Sequence, residues 1–317
     1  MKILTPKALR KGDTIGLISP SSHCAYPEKI GLAISYLEST GYRVKPSLHL
    51  NRINTDPAIA DREKLHDIHD MFSDPAVQAI FCLRGGAGAA RLLSKIDYPL
   101  IAANPKILAG YSDITALSLA LFAKTGMISF SGPMLTTELF APSPYTEEQF
   151  WGMLTSPSYA LSLQNHQSHP VTCIRKGEAE GRLIGGNLSV LSSMIGTPFL
   201  PEFDDTLLFL EDINEPAYRI DRMLSHLSNA GLLAHCKAIL LGQFGNESEN
   251  TKEENLRLQH IFKYYSEQAG MNGPVMRGLS YGHIPDLMTI PVGALFRMQI
   301  SAGGDFSLGA LHPVIEE

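Results

Sequence analysis

The chain has 317 residues, 44% of them hydrophobic and 18% charged, with a net charge of −6 and a pI of about 6.0. At about 150 residues per domain this length suggests two domains, and the apolar content suffices for a sizeable core. No block of Lys and Arg is present to neutralise phosphates, which argues against a nucleic-acid partner. The opening stretch MKILTPKALRKGDTIGLISP lacks the apolar centre of a signal peptide. No apolar run approaches the roughly 18 residues of a membrane helix, so the expectation is a cytoplasmic protein without a membrane partner. The four cysteines, Cys24, Cys82, Cys173 and Cys236, form no C-x-x-C pair. Reduced, mostly buried thiols are expected rather than a disulfide framework or a zinc site.

In chain order, residues 14–19 (TIGLIS) read as a buried strand. Residues 28–39 follow as a helix with Ile30, Ala33, Ile34 and Leu37 on one face, ended by Gly41. A second helix over 62–72 places Leu65, Ile68 and Phe72 together. Residues 77–83 (VQAIFCL) form a strong strand that runs into Arg84-Gly85-Gly86-Ala87-Gly88. Another strand, 106–110 (KILAG), leads directly to Ser112, and 114–123 look helical. This rhythm predicts an α/β fold with a parallel sheet in an N-terminal domain over 1–155. Residues 156–175 are rich in Ser, Pro, Asn and Gln with weak periodicity and read as a linker. The remainder, 176–317, is expected to be a second domain. Strands are expected there at 206–211 and 237–242, with short ones at 274–278 and over 288–310. Helices are expected at 217–228, carrying Ala217, Ile220, Leu224 and Leu227 on one face, and at 252–268.

Four features at predicted strand ends carry chemistry. Ser112 lies two residues past a strand, at a glycine, with a helix immediately after it. A sharp turn there exposes the hydroxyl and offers backbone N–H groups to a developing oxyanion. The fit to G-x-S-x-G is partial, because position 114 is Ile, and Ser112 or Asp113 would serve equally as a helix N-cap. The glycine loop 84–88 suits anion binding or a second oxyanion donor, and equally a plain tight turn. Glu211 ends an apolar strand and would orient a histidine. Its neighbours Asp212 and Glu215 suit an acidic turn capping the 217–228 helix. His283 follows a strand and a glycine. His66 and His69 share a helix face but have no third ligand nearby in sequence, so no metal site is expected there. The order Ser, Glu, His is one in which serine triads recur, with His283 deprotonating Ser112 and Glu211 orienting His283. The three come from both predicted domains, so the site would lie where these meet. Arg219 and Arg222 face solvent or, in the case of one of them, read a substrate carboxylate. A non-catalytic small-ligand binding protein of the same fold is the reading from another class.

Several ordered stretches resemble the LD-carboxypeptidases of bacterial peptidoglycan recycling and the related microcin-immunity peptidases. They are Ile18-Ser19-Pro20-Ser21-Ser22, the run from Ala79 to Leu93, Gly110-Tyr111-Ser112-Asp113, and Phe130-Ser131-Gly132-Pro133-Met134. Three more follow, Gly185-Gly186-Asn187-Leu188, the run from Leu210 to Glu215, and Tyr281-Gly282-His283. The resemblance implies a flavodoxin-like N-terminal domain and a smaller strand-rich C-terminal α/β domain. It implies a Ser112–Glu211–His283 triad and an oxyanion hole from the backbone N–H groups of Gly86 and Asp113. The implied reaction releases terminal D-alanine from a muropeptide tetrapeptide at an L,D bond. A homodimer is implied, and no metal or cofactor. Cleavage of a peptide-nucleotide or related amide is the alternative within the resemblance. Two positions depart from the family pattern: Ala87, often aromatic, and Ile184, where many members carry Trp. Both are expected to alter the lining of the pocket.

Overall fold

The computed structural model describes residues 2–245, 251–268 and 270–317. Its first five strands are β1 (Thr14–Ile18), β2 (Arg43–Pro46), β3 (Val77–Cys82), β4 (Ile107–Ala109) and β5 (Ser129–Ser131). Eight more follow: β6 (Thr172–Arg175), β7 (Gly177–Asn187), β8 (Thr206–Asp212), β9 (Cys236–Phe244), β10 (Val275–Arg277), β11 (Ile290–Val292), β12 (Leu295–Ile300) and β13 (Phe306–Ala310). They form two sheets. The first has the order β11-β5-β4-β3-β1-β2 and is parallel except at β11, which runs antiparallel to β5. The second has the order β13-β12-β7-β8-β9-β10-β6, with a parallel centre from β7 to β10 and antiparallel strands on both flanks. This is the expected mixed α/β architecture, a parallel first sheet followed by a second, strand-rich one.

The helices between the strands are α1 (Pro27–Ser39), α2 (Pro57–Ser73), α3 (Tyr98–Ala103), α4 (Thr115–Thr125) and α5 (Pro144–Thr155). Beyond them come α6 (Leu188–Ser193), α7 (Ala217–Asn229), α8 (Leu232–His235) and α9 (Lys252–Gln268). Helix α2 starts five residues earlier than its apolar pattern suggests. Asp56 caps it by accepting from the Ala58 N–H, and Pro57 fills the first turn, where its missing N–H costs nothing. The buried runs of β1, β3 and β8 match their near-continuous apolar sequences, as strands covered on both faces require.

Strand β7 has no apolar run to announce it. Its first half alternates exposed and partly exposed residues, and its second half contains Gly185 and Gly186. At Gly185 a Cβ would stand 1.8 Å from the Phe209 carbonyl oxygen, so only glycine lets β7 approach β8 this closely. The stretch 156–175 holds a 3-10 turn at Tyr159–Leu161 and strand β6, and Leu163 bridges to Leu308. Cys24, Cys82 and Cys236 are buried, Cys173 is partly exposed, and all four are free thiols. Among the described residues no helix is long and apolar enough to cross a membrane.

Candidate active site

Strand β4 ends at Ala109, and the chain turns sharply before α4. Tyr111 is extended, Ser112 adopts a left-handed conformation with φ of 61°, and Ser112–Ile114 make one 3-10 turn. A left-handed serine costs about 1 kcal/mol or more relative to an ordinary conformation, so the surrounding structure must hold it. Asp113 does so: its Oδ2 accepts from the Ser21 hydroxyl at 2.5 Å and from the Ala89 N–H at 2.9 Å. This carboxylate ties the serine turn to the end of β1 and to the glycine loop. Neither Ser112 nor Asp113 caps α4, whose N-cap position is Ile114 without a side-chain bond. The capping alternative is thereby replaced.

The glycine loop packs directly on the serine. The Gly85 α-carbon faces Ser112, and Gly86, with φ of 122°, packs against Ser22. The Ser22 hydroxyl oxygen accepts from the Ala87 N–H at 3.1 Å. The backbone N–H groups of Gly86 and Asp113 donate to no acceptor among the described residues, and the Asp113 nitrogen lies 3.5 Å from the place where a Gly85 Cβ would stand.

His283 arrives from the second half of the chain on a tightly held loop. The Gln243 N–H donates to the Tyr281 carbonyl, the Ser280 carbonyl accepts from the Met288 N–H, and the Tyr281 hydroxyl bonds Ser131 of β5 at 2.6 Å. The imidazole Nε2 lies 3.2 Å from Ser112 Oγ, and Nδ1 lies 2.8 Å from Glu211 Oε2. Glu211 is completely buried at the carboxyl end of β8. An ionised carboxylate only accepts, so the hydrogen sits on Nδ1 and leaves the Nε2 lone pair facing the serine hydroxyl. Burial works against a proton on His283, but the hydrogen bond and charge of Glu211, with Glu138 and Asp212 beyond, raise its pKa overall.

Of the residues that support this chain of bonds, Asn187 and Tyr111 were given no role by the sequence, and Asp212 only that of a helix cap. Asn187, at the end of β7, donates from Nδ2 to Glu211 at 3.1 Å and to Asp212 at 3.0 Å. Asp212 is turned inward, where it accepts from the Ser189 N–H and hydroxyl of α6. It therefore does not cap α7, whose N-cap residue is Pro216, and Glu215 instead pairs with Arg219 at 3.3 Å. Burial, with the charge of Glu211 adding to it, pushes the Asp212 pKa up. Tyr111 lays its ring 4.9 Å from that of His283 and donates its hydroxyl to Glu138 at 2.8 Å. Both Asn187 and Tyr111 stood inside the quoted motifs, but nothing in their spacing distinguished support from packing.

Two cavities border this centre. One, of about 600 Å³, is lined by Tyr111, Glu138, His283 and Pro285. The other, of about 320 Å³, lies beyond the glycine loop and is lined by Ser22, His49, Lys64 and Ala87. Arg222 is on neither. It is exposed on α7 with its guanidinium 5.6 Å from the Tyr218 ring centre. Ile184 is 1% exposed inside β7, so this position fills core rather than lining either cavity, contrary to expectation. His69 accepts from the Asp97 N–H, which leaves it apart from a close group formed by His49, His66 and Asp67.

Both halves of the chain match one family: the LD-carboxypeptidase N-terminal domain over residues 15–132 and the LD-carboxypeptidase C-terminal domain over 180–298. The chain belongs to the LD-carboxypeptidase family. It is thus a serine-type enzyme of the hydrolase class. A probable murein peptide carboxypeptidase of Bacillus subtilis is 39% identical over 291 residues, covering 91% of this chain and 89% of that protein. An MccF-like protein from Bacillus anthracis superposes with a TM-score of 0.85 at 30% identity, covering 98% and 99% of the two chains. A muramoyltetrapeptide carboxypeptidase from Oxalobacter formigenes gives 0.80 at 31% identity, covering 95% and 99%. The expected LD-carboxypeptidase resemblance is therefore borne out over nearly the whole chain.

Proposed function

We propose that this LD-carboxypeptidase releases the terminal D-alanine from peptidoglycan-derived tetrapeptides, cutting between an L-centre and a D-residue. Ser112 acts as nucleophile, His283 as general base and acid, and Glu211 as the group that orients His283. The observation that carries this reading is the unbroken relay from Ser112 Oγ through both imidazole nitrogens to the buried Glu211 carboxylate. Names borne by the B. subtilis and O. formigenes proteins support the substrate class.

In the first half-reaction Ser112 Oγ attacks the scissile carbonyl carbon as its proton passes to His283 Nε2. The carbonyl oxygen gains negative charge, and the N–H groups of Gly86 and Asp113 receive it. The C–N bond then breaks, the leaving amine takes the proton from Nε2, and D-alanine departs. Water attacks the resulting ester by the same route in reverse, giving up its proton to His283, which returns it to Ser112. Glu211 stays ionised and stabilises the imidazolium formed twice per turnover.

Replacing Ser112 by Ala is expected to remove D-alanine release from a tetrapeptide by several orders of magnitude, with a residual rate from the oxyanion donors. Normal release by a folded Ser112→Ala protein overturns the reading. The MccF-like neighbour favours a second substrate for the same relay, a peptide-nucleotide amide. Assaying both substrates side by side separates them. The same reading has the enzyme working as a cytoplasmic homodimer, which sedimentation velocity and cell fractionation check.

A further inference from the structure

We propose that the cavity beyond the glycine loop binds a carboxylate carried by the acyl portion of the substrate, and that Lys64 is the cation that receives it. This rests on the reading of Ser112 as nucleophile and His283 as proton carrier. The cavity lies between the end of β1, the start of α2 and the loop 84–88, and Ser19, Ser22, His49, Lys64, Ala87 and Arg91 contribute to its wall.

The arginines and carboxylates on its wall are paired, whereas Lys64 is not. Arg52 meets Glu63 at 3.2 Å, Arg91 meets Asp61 at 2.9 Å, and His49 meets Asp67 at 2.8 Å. Lys64, half-buried, has no hydrogen bond and no ion pair with any described residue. Burial and the neighbouring Arg91 hold its pKa below the ordinary lysine value. Asp61 and Asp113 act on this ammonium only through space, and no carboxylate among the described residues is hydrogen-bonded to it, unlike most partly desolvated cations. Ser19, whose buried Oγ also has no partner among the described residues, lines the same cavity and adds an unused donor.

The position of Lys64 couples the cavity to the reacting serine. Its Nζ stands 3.4 Å from where a Gly88 Cβ would be, at one end of the loop whose other end, Gly85, touches Ser112. The larger cavity thus reaches His283, and the smaller one reaches the glycine loop that packs on Ser112. His283 lines the larger one, and His283 must hand its proton to the leaving amine, so the departing residue lies on that side. The acyl portion is left to run past the glycine loop toward Lys64. A carboxylate on its side chain or its preceding residue then meets the free ammonium.

The test is steady-state hydrolysis of four tetrapeptides by the full chain and by Lys64→Met and Lys64→Arg. The parent is L-Ala-γ-D-Glu-meso-diaminopimelate-D-Ala. One relative has L-lysine at the third residue, which removes only that side-chain carboxylate. A second amidates the D-Glu α-carboxylate, and a third amidates the C-terminus. The native chain is expected to prefer the parent to one of the first two relatives by roughly 10- to 100-fold in kcat/KM, mostly in KM. Lys64→Met is expected to erase that preference and Lys64→Arg to keep it. Which relative shows the effect identifies the carboxylate.

An equal loss on all four peptides makes Lys64 merely structural and overturns the proposal. So does a preference that depends only on the C-terminal carboxylate, which would put the site on the leaving residue. Calorimetric binding of the product tripeptide to the Ser112→Ala protein needs no turnover. Affinity unchanged by adding Lys64→Met overturns the site. Lys64-dependent binding with no D-alanine released by the native chain upholds the site and fails the reaction.

Discussion

The Gly85 α-carbon is packed so closely on Ser112 that a Cβ there would stand 2.8 Å from Ser112 Cβ and 2.9 Å from Oγ. The glycine loop and the serine turn share a volume that admits only one side chain. Replacing Gly85 by Ala is expected to displace Ser112 Oγ from His283 and to lower kcat by about 100-fold or more, because sub-ångström placement governs attack. Reaction with a fluorophosphonate probe, followed by mass spectrometry, reads the loss at Ser112 directly. A Gly85→Ala protein that is labelled at the native rate would contradict the contact.

The left-handed backbone at Ser112 yields a prediction about stability. Ser112→Gly and Ser112→Ala both remove the hydroxyl, but only glycine adopts φ of 61° without a Cβ penalty. Ser112→Gly should be more stable than Ser112→Ala by about 1 kcal/mol, the usual size of this effect net of glycine's extra chain entropy. Urea unfolding of the two inactive proteins measures it, and the opposite order would show that the turn is not strained.

With His283 as the proposed general base, that residue is expected to set the pH dependence. In that role it must be neutral at Nε2 to accept the serine proton, and its pKa is raised above the ordinary value. The acid limb of kcat/KM should therefore inflect above about 6.5, with activity rising as pH increases. The accompanying stabilisation has the opposite sense. It is fully present below about 6.5 and is lost as pH climbs through the folded value. Replacing Glu211 by Gln takes away the hydrogen-bonded charge, so the inflection should move to lower pH while kcat falls by about 10³- to 10⁴-fold. An unshifted inflection in Glu211→Gln would assign the acid limb to another group.

Asn187 joins two carboxylates that would otherwise face one another, and its Oδ1 accepts from the Val190 N–H to cap α6. Asn187→Ala removes the cap and leaves buried Glu211 and Asp212 short of a donor. A destabilisation of about 2–4 kcal/mol is expected from these two losses together. Thermal and urea melts measure it. A change within about 0.5 kcal/mol, the ordinary scatter of surface substitutions, would mean that the bridge is not a structural support.

Much of this was readable before any coordinates. The apolar runs of β1, β3, β8 and β9 declared themselves because strands buried on both faces need continuous hydrophobic sequence. The relay of Ser112, Glu211 and His283 was readable because each lies at or shortly after the end of a strand, and their order matches a recurring arrangement. Strand β7 escaped notice because its packing against β8 depends on absent side chains at Gly185, a signal that periodicity does not register. Asp212 misled for a different reason. An acid before a helix looks like a cap, and only the three-dimensional approach of α6 turns it inward. Lys64 was invisible, since what distinguishes it is the lack of a partner, and partners are set by tertiary structure.

Strand β11 follows the His283 loop in sequence, yet it lies in the first sheet, antiparallel to β5 from Ile290–Ser131 to Val292–Ser129. The boundary of sequence between the two halves is thus not the boundary of hydrogen bonding. Anyone recombining front and back pieces of different relatives at a junction near residue 155 would graft a foreign edge onto the sheet that leads into Ser112. Residues 288–294 are inherited with the back piece but must complement the front one. A chimera that keeps β5 and β11 from a single parent satisfies both, whereas one that mixes them leaves Ser129–Ser131 with an ill-matched neighbour beside the serine turn.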